Sequence, residues 1–318
     1  MKKIFWCCII FLTFCESTEA ADKIRIAIPE PTAGLLTLPL AHKKGFLAGQ
    51  GVAAEVISMR GPLMVSALDH GEIDYLTGIP RGIQAVIGGF PLKIVACYLP
   101  KSTLMVVSRP ELNSVKDLKG KTVAVSGAGS SNFAVLKLIA KHFGLDAEKE
   151  IKILGAGGND SRLAALTQGL VAAAVVAPPF DFHAKKLGFR VIARSDELFT
   201  YPQFGLITNE KKMKERAGEI KRVIKAGIMA NRYIRSNREG TVQFLMEWMR
   251  IGKDVAVATY EAFLPAFSDD GNCPEDGMGL VIEEIKQAAK ISRQVSMKDV
   301  ADLSILKEAQ REMGIVAR

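Results

Sequence analysis

Ser130-Ser131-Asn132 closes a run of small residues, Gly127-Ala128-Gly129, that follows the β-branched stretch Lys121 to Val125. Leu136, Ile139, Ala140 and Phe143 then recur at helical spacing, and Gly144 stands where a left-handed residue ends a helix. Strand, small-residue loop and helix start together offer backbone N–H groups, hydroxyls and the positive end of a helix dipole. The chemistry this suits is the binding of an oxyanion. The competing reading is that one of these residues merely caps the helix. The string is not a dinucleotide fingerprint, because Asn132 stands where the last glycine belongs. It is not a phosphate loop either, since no Gly-Lys-Ser/Thr follows. Arg81, directly after Pro80, offers a cation for a carboxylate or sulfonate, or else a surface guanidinium. Arg162 is open to the same two readings.

The elements that position these residues alternate. Lys23 to Ile28, Ala54 to Ser58 and Asp74 to Gly78 read as strands, with helical stretches between them and Pro80 opening the next helix. A shift of about a hundred residues lays this pattern on a second copy of itself. Lys23 falls on Lys121, Ala41 on Ala140, Leu68-x-x-Gly71 on Leu166-x-x-Gly169, and Pro80 on Pro178. Two α/β lobes of like architecture are expected, each a mostly parallel sheet flanked by helices. The first lobe is assigned to 21–103 plus 206–318 and the second to 104–205. Phe204 to Thr208 returns the chain to the first lobe, and two short crossings, near 100–106 and 198–206, permit closure about a cleft. Ligands bind outside the carboxyl ends of parallel strands. The candidate contacts are therefore Glu30, Pro80, Arg81, Gly129, Ser130, Ser131, Asn132, Asn159, Pro178 and Phe180, with the Arg60-Gly61 loop beside them. Phe180 or Tyr201 covers an apolar tail or packs the cleft wall.

From Asn209 onward the pattern is helical. Ile220, Val223, Ile224, Gly227 and Ile228 form one stripe, Phe244, Leu245 and Trp248 another, and Ile282, Ile285 and Ala289 a third. Ser296 to Asp299 resembles a capping box before a last helix reaching Met313. Phe267 to Gly277, rich in Asp and Gly, reads as a solvated surface loop whose spacing does not fit a calcium site.

The 318 residues are 48% hydrophobic and 24% charged, ordinary for a globular chain. Lys2 and Lys3 precede an apolar run from Ile4 to Phe14, and Thr18-Glu19-Ala20 supplies small residues for cleavage, so residues 1–20 read as a secretory signal peptide. Acylation at Cys15 is an alternative, opposed by bulky Phe14 before it. The net charge of +8 comes from lysines and arginines scattered along helices without interleaved aromatics, which argues against nucleic-acid binding. Cys97 and Cys273 remain after the leader; a disulfide is permitted in an exported protein, but two free thiols are expected.

Leu38-Pro39-Leu40-Ala41 with Lys44-Gly45-Phe46, Ala67-Leu68-Asp69-His70-Gly71-Glu72-Ile73-Asp74, Leu118 to Val125 and Gly129-Ser130-Ser131 recur here in an order that resembles one family. The chain is similar to the SsuA/THI5-like, NMT1-type periplasmic solute-binding proteins of the sulfonate, taurine, nitrate and thiamine-precursor importers. That resemblance implies a type II periplasmic binding protein fold with a helical C-terminal region and a small anionic solute held between the lobes. It implies docking of a monomer on a membrane permease driven by an ATPase, contact between the glycine-serine loop and the anionic head, and no cofactor. Two alternatives share the fold. One is an enzyme of pyrimidine-precursor or menaquinone synthesis, against which stand His42, His70, His142 and His183, none followed by a cysteine cluster. The other is an extracytoplasmic sensor without transport.

Overall fold

The computed structural model describes residues 21–29, 31–59, 61–127 and 129–316. The leader, Cys15, Glu30 and Arg60 lie outside the described residues. The strands among the described residues are β1 (Asp22–Ile28), β2 (Val52–Ser58), β3 (Tyr75–Gly78), β4 (Leu92–Leu99), β5 (Met105–Ser108), β6 (Thr122–Val125), β7 (Lys152–Gly155), β8 (Ala173–Val176), β9 (Arg190–Arg194) and β10 (Phe204–Asn209). They form two five-stranded sheets, ordered β2-β1-β3-β10-β4 and β7-β6-β8-β5-β9. The two orders are the same pattern. Each sheet has three parallel strands in the order second-first-third, then one antiparallel strand, then an edge strand.

The expected repeat is therefore present, down to its glycines: Gly45 and Gly144 end equivalent helices at φ 76° and 80°, and Gly71 and Gly169 follow at 74° and 80°. The mostly parallel character also holds. The returning strand Phe204–Asn209 is in the first sheet as expected; what periodicity did not reveal is that each sheet's inserted strand runs antiparallel. The first sheet takes its own, β10, from the chain after the second sheet is complete, whereas the second sheet takes β5 from the segment that enters it.

The strands are apolar on both sides because both sides are covered. In the second sheet Val106, Val123, Val125 and Val175 join one core, while Val107, Ala124, Ala174 and Val176 join a core on the opposite face. Numbering helices of seven or more residues, α1 (Thr37–Lys43), α2 (Gly61–Asp69) and α3 (Ile79–Ile87) flank the first sheet. The second carries α4 (Ser131–His142), α5 (Asn159–Thr167) and α6 (Phe180–Lys186). The C-terminal part adds α7 (Ala217–Ser236), α8 (Arg238–Met249), α9 (Lys253–Phe263), α10 (Glu275–Ala288) and α11 (Ser304–Glu312).

Ile220, Val223, Ile224 and Ile228 of α7 are fully buried against the first sheet, as their stripe predicts. Two expectations need correcting. The Ser296/Asp299 capping box is present, but it opens a single turn, Met297–Val300; Ala301 then pairs with Ile94 beside β4 and the last helix starts afresh at Ser304. The stretch from Phe267 is not a solvated loop: Phe267, Gly271 and Cys273 are buried, and α10 already begins at Glu275. Its acidic appearance misled because the Asp270 carboxylate serves the turn itself, accepting from Ser268 Oγ, Asn272 N and Asn272 Nδ2.

Candidate functional site

The carboxyl ends of the parallel strands lead into loops that start helices, and the second-sheet loops are tied to one another. Ala156 N and Gly157 N donate to Val125 O (2.8 Å) and Ser126 O (3.2 Å), which zips the loop after β7 to the loop after β6. Asn159 Oδ1 accepts from Ala177 N at 3.0 Å and from Arg162 Nη2 at 2.5 Å, while Arg162 Nη1 donates to Gly157 O at 2.7 Å. Asn159 and Arg162, the latter only 3% exposed, thus brace the loops after β7 and β8. Arg162 is not the surface guanidinium that one reading expected: it is buried and donates to Gly157 O and Asn159 Oδ1.

Ser130 is the N-cap of α4. Its Oγ accepts from Phe133 N at 3.2 Å and donates to Gly127 O at 2.7 Å, so the hydroxyl is committed on both sides. Asn132 is turned back toward the strand, with Ser126 Oγ donating to its Oδ1. Ser131 is exposed, and among the described residues no acceptor meets its N–H, its hydroxyl or the N–H of Asn132. Gly129 precedes them at φ 77°. Neighbouring residues therefore differ: Ser130 caps the helix, whereas Ser131 and Asn132 keep donors without an acceptor among the described residues. Ser126, which holds Asn132, was not singled out from sequence; a serine at a strand end carries no periodic signal.

In the first sheet Pro80 and Arg81 occupy the first turn of α3 and both are half-buried. Ile79 N donates to Gln203 O at 3.0 Å, so α3 starts beside the second chain crossing. Among the described residues no hydrogen bond or ion pair engages Arg81. A guanidinium at a helix N-terminus gains nothing from the helix dipole. Pro178 is buried, its peptide bond to Pro179 is cis, and Phe180 begins α6 half-buried, edge-on to His183 at 6.0 Å. Tyr201 is 1% exposed and packs edge-on to Phe199; burial pushes its phenol well up, with Glu284 adding to the shift. It belongs to the core and not to a cleft wall.

One helix links loops from both sheets. The start of α9 meets α6 through the Lys186–Asp254 ion pair at 2.8 Å. Its end meets the turn after β1, where a Cβ on Gly34 would come within 3.2 Å of the Phe263 ring. The crossings run side by side: Gln203 N donates to Leu99 O, and buried Ser195 Oγ lies 2.8 Å from both Ser102 O and Leu104 O. Open depressions of about 580 and 310 Å3 lie elsewhere, at the amino ends of β1 and β2 and between α4 and α10. The larger is lined by groups already paired, Arg25 with Glu55 and Asp74 with Lys212. Neither is at the strand ends that present free donors. Among the described residues no group of three or more His, Cys, Asp or Glu could hold a metal ion.

Two sheets of one topology, each with an antiparallel strand beside the place where the chain crosses, define the periplasmic-binding-protein fold. The NMT1/THI5 like family model matches residues 34–239, and the chain belongs to that family. Among solved structures it is similar to the periplasmic aliphatic sulphonate binding protein SsuA of Escherichia coli, with 22% identity, a TM-score of 0.75, and 88% of this chain and 92% of that one covered. It is similar to the alkanesulfonate-binding protein SsuA of Xanthomonas axonopodis pv. citri, solved with MOPS, with 20% identity, a TM-score of 0.67, and 92% and 98% covered. The desulfurization enzyme DSZB shares the fold at 15% identity and a TM-score of 0.67, with 92% and 99% covered. No curated protein matches the chain in sequence.

Proposed function

We propose that the chain is the extracytoplasmic substrate-binding component of an ABC-type importer. It captures a small organic anion between the lobes 21–103 plus 206–318 and 104–205, and delivers it as a monomer to a membrane permease. The observation that carries this reading is Arg81, a half-buried cation at a strand's carboxyl end with no counter-charge among the described residues. Opposite it in role stand the donors of Ser131 and Asn132 at the start of α4. A sulfonate or carboxylate head suits either set of groups; a cation suits neither. The sulfonate-binding relatives named above support the solute class. Export through residues 1–20 supplies the compartment, and among the described residues no helix is long and apolar enough to cross a membrane.

The fold also carries a desulfurization enzyme, so fold alone does not separate binder from catalyst. Two features favour a binder. The described cysteines, Cys97 and Cys273, are buried in the core. His183, near Phe180, packs against aromatic rings and faces no carboxylate partner among the described residues.

The test is calorimetry of the chain from residue 21 with a panel of small organosulfonates and carboxylates. At least one is expected to bind, and at a hundred times its dissociation constant to stabilise the protein by about 2.7 kcal/mol. Arg81→Gln is expected to weaken that ligand about ten- to a hundred-and-fifty-fold, the value of a hydrogen bond to a charged group. An Arg81→Gln variant that binds like the parent overturns the assignment of the anion site.

A further inference from the structure

Cys97 lies in β4, fully buried, and Cys273 lies in the segment between α9 and α10, 6% exposed. Both thiols are free, as expected from sequence. What the sequence did not show is that they are neighbours. Cys97 N donates to Gly271 O at 2.8 Å, two residues before Cys273, and both cysteines sit in one buried core cluster, where the Cys97 thiol donates to Phe204 O at 3.8 Å. The frame around them is tightly held. Asn231 Nδ2 donates to Tyr98 O (2.9 Å) and Ser268 O (2.6 Å), and Gln310 Nε2 donates to Asp270 O (2.9 Å) and Asn272 Oδ1 (3.1 Å). Asn231, with Ser268 N donating to Tyr98 O at 3.0 Å, ties β4 to the 268–273 segment, and Gln310 holds that segment from its other side. Burial pushes the Cys97 thiol up, so the folded pair is a poor nucleophile and its oxidation belongs to folding, before the site closes.

We propose that Cys97 and Cys273 form a redox pair that closes to an intramolecular disulfide as the chain folds outside the cytoplasm. The compartment in this statement rests on the functional reading above; the juxtaposition does not. Each thiol gives up its hydrogen and one S–S bond forms. The two protons and two electrons reduce a disulfide of a thiol oxidoreductase, or oxidised glutathione, to two thiols. The bond staples the segment that leads into α10 onto the edge strand of the first sheet. Because α10 packs on the second crossing, where a Cβ on Gly277 would come within 2.8 Å of Thr200 and Pro202, the staple also anchors one side of the junction between sheets. The loop it closes is long, which makes the constraint on the unfolded chain large.

The experiment has two arms on the full chain. In the first, the chain carrying its own leader is expressed in a bacterium, recovered from the extracytoplasmic fraction, denatured and treated with iodoacetamide. Neither cysteine is expected to react until dithiothreitol is added, and a peptide pair joining Cys97 to Cys273 is expected by mass spectrometry. In the second, the reduced, unfolded chain is refolded in glutathione buffer and should regain the same cross-link. Cys273→Ser should melt roughly 5–10 °C below the oxidised parent and be insensitive to dithiothreitol. Two alkylated thiols in the refolded parent overturn the proposal. The intact mass from the first arm reports export separately, so a cross-linked chain that keeps its leader preserves the pair and removes only the compartment.

Discussion

Ser130 and Ser131 are adjacent and chemically identical, yet the helix separates them. Ser130 is extended at φ −79° and ψ 156°, which turns its hydroxyl over the first turn of α4 to meet Phe133 N. Ser131 is already helical and exposed. Ser130→Ala should therefore cost about 1 kcal/mol of stability, the ordinary value of an N-cap, with ligand affinity changed little. Ser131→Ala should leave the apo melting temperature unchanged and weaken an anionic ligand roughly tenfold, for one lost hydrogen bond to a charged group. Thermal melts with and without ligand read both effects. Equal affinity of Ser131→Ala and parent would remove this helix end from the binding site.

Among the elements, α7 shows how a helix and a strand depend on one absent side chain. Gly227 sits in the buried stripe of α7, where a Cβ would lie 2.3 Å from Cζ of Tyr98 on β4. Tyr98 is 2% exposed and has no room to withdraw. Replacing a mid-helix glycine by alanine ordinarily gains about 1 kcal/mol through helix propensity. Here the clash should win, because forcing a methyl into a packed core costs about 1–3 kcal/mol and the contact is far inside van der Waals distance. Gly227→Ala is expected to be net destabilising in urea unfolding. A stabilised variant would show that α7 is free to slide on the sheet. The same helix is pinned at its exposed side by α11, where Lys221 and Lys225 pair with Glu312 and hold its carboxyl down to about 2.

For the whole molecule, the two sheets are joined by two side-by-side crossings and by ion pairs that reach from one half to the other. Lys137 on α4 lies 3.0 Å from Glu284 on α10, with both side chains mostly buried, and Lys186 on α6 lies 2.8 Å from Asp254 on α9. A buried pair of this kind resists separation, because removing either partner leaves a charge without compensation. Any closure about the crossings is expected to rotate around the Lys137–Glu284 contact, with the exposed Lys186–Asp254 pair making and breaking at little cost. Solution scattering should show the radius of gyration fall when a calorimetrically verified ligand saturates the chain. An unchanged profile would mean that the site forms without movement of the sheets.

Much of this architecture was legible in the chain because it rests on local periodicity. The alternation of strands and helices, the repeat at about a hundred residues, the glycines that end equivalent helices and the buried stripe of α7 follow from side-chain direction in regular elements, which sequence spacing reports directly. Loops at the carboxyl ends of parallel strands could be named for the same reason. Which residues in those loops are free could not, because a hydroxyl or amide is committed or available only once its neighbours are placed in space. Asn159 Oδ1 and Arg162 brace the loops, Ser130 Oγ caps a helix, and Arg81 has no partner among the described residues, yet nothing in their spacing distinguishes them. The acidic stretch around Asp270 read as solvated, and the pairing of Cys97 with Cys273 stayed open between a permitted disulfide and two free thiols, for one physical reason. Burial and contact between residues far apart in sequence are properties of packing, and only the folded chain decides them.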